Sequence, residues 1–242
     1  MSLKGFLEKK INYFLSLFNF KLSKLNKIEL DPEEGYDDYD WNNYHKDYAK
    51  QILQISKKQT QKLNIDDFEL KKGKLIFKKD LLPMHKNHIC LYEVIGILRP
   101  RNIIEIGCGG GDHLHNIGLI YPDLKKQGFD RSSNQLNFLS ERSPHIRQYV
   151  SNLDITMPPM REFPEADVVY SQAVIMHIQS GNSHMVALAN MFRMAKKAVV
   201  LMENFKRHNF FKDIELLFKK GMIPWDNLYF YVYRFDNKPN IL

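Results

Sequence analysis

The stretch Ile103-Ile104-Glu105-Ile106-Gly107-Cys108-Gly109-Gly110-Gly111 decides how this chain folds. Its first half is rich in β-branched residues, the pattern of a short buried strand. Its second half removes side chains where a ligand must come close to backbone amides. It is not a dinucleotide fingerprint, because the third glycine of that fingerprint belongs at position 112, where Asp112 stands. An acid at a helix start also repels a pyrophosphate. Glu105 and Asp112 instead suit a cofactor with a sulfonium and an ammonium group and no phosphates.

Downstream, short β-branched runs alternate with helical stretches. Strands are expected at 102–107, 126–130, 146–151, 166–171 and 198–203, with helices between nearly all of them. This repetition implies a parallel sheet with right-handed crossovers and helices on both faces. An aromatic-rich run at 227–235 reads as an antiparallel strand added at an edge. Upstream, 89–98 reads as a helix stopped by Pro100, 73–77 as a short strand and 41–63 as a helical pattern. The fold class expected is α/β, Rossmann-like and doubly wound, with a mostly parallel sheet and an N-terminal helical extension.

About twenty residues past the loop, the next strand ends at Asp130, where a carboxylate can accept hydrogen bonds from both hydroxyls of a ribose. Capping of the following helix is the structural alternative, with Ser132 and Ser133 as rivals for that role. From Glu105 to Gly111 the sequence resembles the class I methyltransferases, whose first motif is an acid, any residue, then Gly-x-Gly-x-Gly. The resemblance covers residues 89–205 and implies S-adenosyl-L-methionine as cofactor. It implies that Glu105, Gly107, Cys108, Gly109 and Gly111 form the cofactor loop, and that Asp130, with Arg131 beside it, meets the ribose. It places Asp154 and Ile155 at the adenine, with Asn152 as substitute and a plain turn as the alternative. Ser171 and Gln172, after the fourth strand, are expected near the methionine part or the sulfonium, with Val174 and Met176 against the adenosyl group.

His177 is the catalytic candidate, because a neutral imidazole can take a proton from a hydroxyl nucleophile as the methyl moves. Support of the strand-to-helix turn is its structural alternative. His85, His88, Glu203 and Asn204 are further candidates. His113 and His115, two residues apart on one helix, point to different faces and do not share a metal. Tyr36, Tyr39, Trp41, Tyr44, His45 and Tyr48 form an aromatic cluster that either closes over a ligand or packs the N-terminal segment.

The domain boundary is expected at 40/41. Residues 1–40 are read as an amphipathic helix followed by an acidic linker, and residues 41–242 as the methyltransferase domain. Leu3, Leu7, Ile11, Phe14, Phe18, Leu22 and Leu25 recur at helical spacing among six lysines, and six acids crowd 31–40. Two readings stay open for 3–28: a helix lying on an anionic membrane surface, and a helix covering the catalytic domain or a dimer partner. The chain carries a formal net charge of +7, which attracts nucleic acid, anionic lipid or an anionic substrate alike. With only two cysteines, Cys90 and Cys108, a reducing cytoplasmic setting is the default.

Methylation of an oxygen on a small molecule or glycan is the leading expectation. The glycan preference comes from a likeness of 154–156 and 172–178 to enzymes that modify surface polysaccharides. RNA methylation is the runner-up, since the charge balance favours it. Ser171-Gln172-Ala173-Val174 nevertheless departs from the polar residue, two prolines and an aromatic common where exocyclic base nitrogens are modified. A non-catalytic binding module is the alternative from another class.

Overall fold

The computed structural model describes residues 20–21, 62–78, 84–158 and 162–233. In chain order the strands are β1 (Phe20–Lys21), β2 (Phe68–Lys71), β3 (Lys74–Phe77), β4 (Asn102–Ile106), β5 (Lys125–Asp130), β6 (Val150–Asn152), β7 (Ala166–Gln172), β8 (Ala195–Met202) and β9 (Val232–Tyr233). The α-helices are α1 (Lys86–Leu98), α2 (Asp112–Ile120), α3 (Ser133–Arg142), α4 (Ser183–Met194) and α5 (Phe210–Lys219).

Five strands form one parallel sheet in the order β6-β5-β4-β7-β8. The chain leaves β4 for β5 and β6 on one side, then returns to lay down β7 and β8 on the other. This reversal opens a crevice at the carboxyl ends of β4 and β7, the place where open α/β sheets bind ligands. β4 and β7 are buried along almost their whole length, as strands covered on both faces must be. Ile104, Ile106 and Val169 pack with Leu188 and Met191 of α4 and Phe210 and Leu217 of α5. Ile103, Val168 and Tyr170 face Leu91 and Ile95 of α1 and Ile117 of α2. Leu136 and Leu139 of α3 meet Leu114 and Ile146 beside that layer.

Local chemistry sets the helix ends. α1 stops where Arg99 turns left-handed at φ 46° and its amide bonds back to Ile95 O, with Pro100 next. The Ser132 side chain accepts from Gln135 N and caps α3, and Asn209 does the same for α5 through Lys212 N.

Several sequence expectations are corrected. The strand expected at 146–151 is mostly a 3-10 turn, Pro144–Tyr149, because Pro144 pre-sets the helical φ at its start. Only Val150–Asn152 joins the sheet. The last parallel strand begins earlier than 198, directly off α4 at Ala195. Within 227–235, only Val232–Tyr233 among the described residues is a strand, and it pairs antiparallel with Phe20–Lys21, not with the main sheet. Before it, Trp225, Leu228 and Phe230 lie on the α4/α5 layer while Tyr229 and Tyr231 are exposed, and Trp225 Nε1 donates to Ala195 O at 3.1 Å. β3 has a partner that the pattern missed, β2, joined through Lys72 and Gly73 at φ 52° and 77°. Two successive positive φ values fit a tight hairpin turn.

The helix expected over 3–28 is interrupted by β1, and its remainder lies outside the described residues. So do the acidic linker, the 40/41 boundary, the aromatic cluster at 36–48 and most of 41–63. No helix among the described residues is long and apolar enough to cross a membrane.

The segment after β6 is anchored by one buried amide. Asn190 Nδ2, on α4, donates to Ile155 O and Met157 O, each at 2.9 Å. Removing it leaves two carbonyls without that donor. Asn190→Ala is expected to cost about 2 kcal/mol, a Tm drop of roughly 4–8 °C by calorimetry; an unchanged Tm would show that the anchor contributes nothing.

Candidate cofactor site

The glycine loop starts where β4 ends. The amides of Gly107 and Cys108 both donate to Phe129 O, at 2.7 and 3.0 Å, which folds the loop back onto β5. Gly107, Gly109 and Gly111 have φ of 72°, 46° and 78°, values that strain any residue with a Cβ. Gly107 also lies under Val174: a Cβ there would stand 2.3 Å from Val174 Cγ2. At Gly109 the space is open, with only Gln135 Oε1 within 4 Å of such a Cβ, at 3.9 Å. A ligand can therefore approach the backbone at that point.

Asp130, at the end of β5, is brought to the loop. Its Oδ2 accepts from Gly109 N at 2.9 Å and its Oδ1 from Ser132 N at 2.8 Å. The helix cap is Ser132, so the carboxylate of Asp130 serves the loop and the turn and does not cap α3. Burial pushes its pKa up, and the two amides oppose this. Behind it, Asp130 O accepts from Leu153 N at 3.1 Å and from Asn152 Nδ2 at 3.1 Å. Asn152 also donates to Arg131 O, so it holds the Asp130 turn. Arg131 is exposed.

Glu105 lies on β4 beneath the loop and is only 2% exposed. Burial lifts its pKa from 4.5 to about 8, with the nearby charges of Asp112 and Asp130 adding to the effect. The Tyr170 hydroxyl beside it acts the other way and lowers it. Asp112 departs from expectation, because Arg142 of α3 faces it with two contacts of 3.0 Å and matches its charge within the protein. Arg142 had no local signal in the sequence, being thirty positions from its partner. Cys108 is buried with its thiol among Leu114, Leu136 and Leu139, so only its backbone belongs to the loop.

Across the crevice, Ser171 is fully buried and donates to Glu203 Oε1 at 2.7 Å. Ala173 follows in the left-handed region at φ 52°, which costs about 1–3 kcal/mol for a residue with a side chain. Gln172 Oε1 lies 3.4 Å from His113 Nε2, and His113 Nδ1 is 2.8 Å from the Tyr92 hydroxyl. His113 thus spans from α1 to the end of β7. The His88 ring meets the His113 ring edge-on at 4.7 Å, and burial drives the His88 pKa to about 3. His115 faces elsewhere, bonding His145 and Leu63 O. No group of acids, histidines and cysteines that could hold a metal exists among the described residues. His177 sits in the 3-10 turn after β7, partly buried, and burial together with the Arg207 charge lowers its pKa.

Asp154 and Ile155 lie just past β6, next to the Asp130 turn. Asp154 Oδ1 accepts from Thr156 N at 2.9 Å and from Thr156 Oγ1 at 2.6 Å, which makes the turn that was its structural alternative. Ile155 is buried and presents its carbonyl to Asn190.

The parallel sheet with its glycine loop is the arrangement that the resemblance to class I methyltransferases implies, with S-adenosyl-L-methionine as the cofactor. Residues 104–202 match the family profile described as a methyltransferase domain. The chain is 27% identical over 100 residues to a trans-aconitate 2-methyltransferase of Rhodopseudomonas palustris (strain BisB5), a stretch that covers 41% of this chain and 38% of that relative. Among solved structures it is similar to a TehB-like SAM-dependent methyltransferase of Corynebacterium glutamicum, with a TM-score of 0.48, 14% identity and coverage of 74% and 81% of the two chains. It is also similar to the N-methyltransferase NodS of Bradyrhizobium japonicum, with a TM-score of 0.42, 14% identity and coverage of 56% and 75%.

The residues present fit that cofactor. Open space at Gly109, a carboxylate at the end of the adjacent strand and a buried acid without a cationic partner at hydrogen-bond distance among the described residues match a ribose and a cationic head group. Glu105 also gives the site a pH signature. Its folded pKa is raised above the ordinary glutamate value, so its contribution to stability is complete below about 4.5 and is lost as pH rises through about 8. Thermal melts from pH 5 to pH 8 should therefore show wild type losing stability relative to Glu105→Gln. Parallel curves would show that Glu105 titrates at its ordinary value.

Proposed function

We propose that this chain is an S-adenosyl-L-methionine-dependent methyltransferase that methylates an oxygen atom of a small molecule or glycan. The observation that carries the cofactor half is the pairing of the Gly109 amide with the Asp130 carboxylate, made where two adjacent parallel strands end. The acceptor half draws support from the name of the curated relative, which gives a small molecule, trans-aconitate, as its acceptor. The likeness of 154–156 and 172–178 to polysaccharide-modifying enzymes supports the glycan reading.

The cofactor supplies a methyl group on a positively charged sulfur. The residues of the chain bind and orient. Asp130 keeps acceptor capacity on both carboxylate oxygens beyond its two amide bonds, enough for a pair of ribose hydroxyls. Glu105 offers a countercharge once a cation favours its ionised form. Asp154 and Ile155 border the far end of the site, where the adenine belongs, and Gln172 borders the crevice where the methyl would be delivered. His177 is held toward its neutral form, in which a ring nitrogen can receive the proton of an acceptor hydroxyl. Methyl transfer is an in-line displacement, so most of the barrier is lowered by holding donor and acceptor in register.

Calorimetric titration with S-adenosyl-L-methionine tests the cofactor half. Wild type should bind, while Asp130→Ala should weaken binding about 100-fold, as loss of a charged hydrogen-bonding partner from a formed site does. Binding that is unaltered in Asp130→Ala, or absent in wild type, would overturn the assignment. Methyl transfer from labelled cofactor, measured across hydroxyl-bearing small molecules, oligosaccharides and RNA, tests the acceptor half. His177→Ala should lower the turnover of the true acceptor about 100-fold or more without altering cofactor affinity; label on RNA alone would overturn the small-molecule and glycan reading.

A further inference from the structure

Glu203 stands just past β8, is 2% exposed and has no part in the binding or proton steps above. Its carboxylate collects a group of donors from one short turn. Ser171 Oγ donates to Oε1 at 2.7 Å. The amides of Val174, Ile175 and Met176 follow, with Val174 N 3.2 and 3.1 Å from the two oxygens, Ile175 N 3.2 Å from Oε1 and Met176 N 3.1 Å from Oε2. Three successive amides converging on one anion form a backbone nest, a concavity that is ordinarily an anion site. Here the anion is a side chain of the same protein.

The turn it grips is otherwise unfavourable. Ala173 carries a side chain in the left-handed region at φ 52°, and its amide still bonds to Met202 O at 3.0 Å. A residue in that conformation persists only where its surroundings over-determine it. The carboxylate of Glu203 on one side and the strand bond on the other provide that determination. The turn also reaches the cofactor loop, because Val174 fills the space over Gly107 that any Cβ would need. A contact path therefore runs from Glu203 through the Val174 amide and side chain to the first glycine of the loop.

We propose that Glu203 is a positioning residue for cofactor binding: by clamping the 171–176 turn it seats Val174 on Gly107 and fixes the loop that receives S-adenosyl-L-methionine. This rests on the cofactor reading of the loop given above. Both oxygens are used, so the ionised acid is the form that fits. A glutamine in its place keeps one acceptor and turns an N–H₂ group toward backbone N–H groups.

The test is calorimetric titration of the full chain with S-adenosyl-L-methionine, comparing wild type, Glu203→Gln and Ser171→Ala with Ile214→Val, a core change on α5 that removes none of the Glu203 donors. Circular dichroism verifies that each protein is folded. Glu203→Gln should weaken affinity about tenfold or more, Ser171→Ala, which removes one donor, about threefold, and Ile214→Val less than about twofold. Ser171 is fully buried, and the partner of its hydroxyl is Glu203. Wild-type affinity in a folded Glu203→Gln would overturn the inference. Should Glu203→Gln fail to fold, wild-type affinity in Ser171→Ala would overturn it equally. Loss of affinity in Ile214→Val as large as in the other two would reduce Glu203 to a general stabiliser. Absence of binding in wild type would instead strike the cofactor reading itself, so the two failures are distinguishable.

Discussion

A hydrogen bond 2.9 Å long, from the Gly109 amide to the Asp130 carboxylate, holds the end of the central strand to the end of its neighbour. Each glycine in the loop loses more chain entropy on ordering than another residue would, and three of them sit at positive φ. Such a loop keeps one shape only if bonds from outside it outweigh that loss. Phe129 O supplies two of them and Asp130 a third, all from β5. The floor of the site is thus built by strand pairing, and the conformation of the loop follows from the register of β4 against β5.

The cofactor half of this arrangement is legible in the sequence because its signals are local and chemically narrow. Three alternate glycines, an acid two positions before the first of them and a carboxylate at the end of the next strand each answer one need of a ligand, and their spacing follows from the length of one βαβ unit. The features that the sequence does not disclose depend on distant partners. Arg142 matches the charge of Asp112 from another helix, and Ser171 turns inward because Glu203 stands just past the end of the neighbouring strand. The strand expected at 227–235 shrinks to Val232–Tyr233 among the described residues because aromatic residues signal packing as readily as they signal a β-strand, and Phe230 packs, partly buried, on the helical layer. β2 escaped because its alternation, Phe68-Glu69-Leu70-Lys71, runs for only four mostly exposed residues, and the hairpin turn carries its signal in Lys72-Gly73 alone.

The electrostatic character of the crevice comes from desolvation. His88, His113 and His177 all have their pKa values lowered, with burial the largest cause in each case. Neutral imidazoles keep lone pairs available and add no positive charge where a sulfonium would have to lie. The acids are divided by the same principle. Asp112 is matched by Arg142, while Glu105 lacks a cationic partner at hydrogen-bond distance among the described residues and is held toward its neutral form. The charge that would greet a cation is therefore created on its arrival, which costs the unliganded protein less than burying a lone carboxylate would.

The chain contains two cysteines, and both are buried and free. Cys108 belongs to the glycine loop itself, with its thiol pKa raised by burial and its sulfur turned into the apolar layer under α2 and α3. A thiol in that state is chemically silent toward alkylating reagents until the loop lifts away. The loop thus carries its own clock: the labelling rate of Cys108, set against that of Cys90 on α1, measures how often the native loop opens, and ligation would read out as protection of a single sulfur atom.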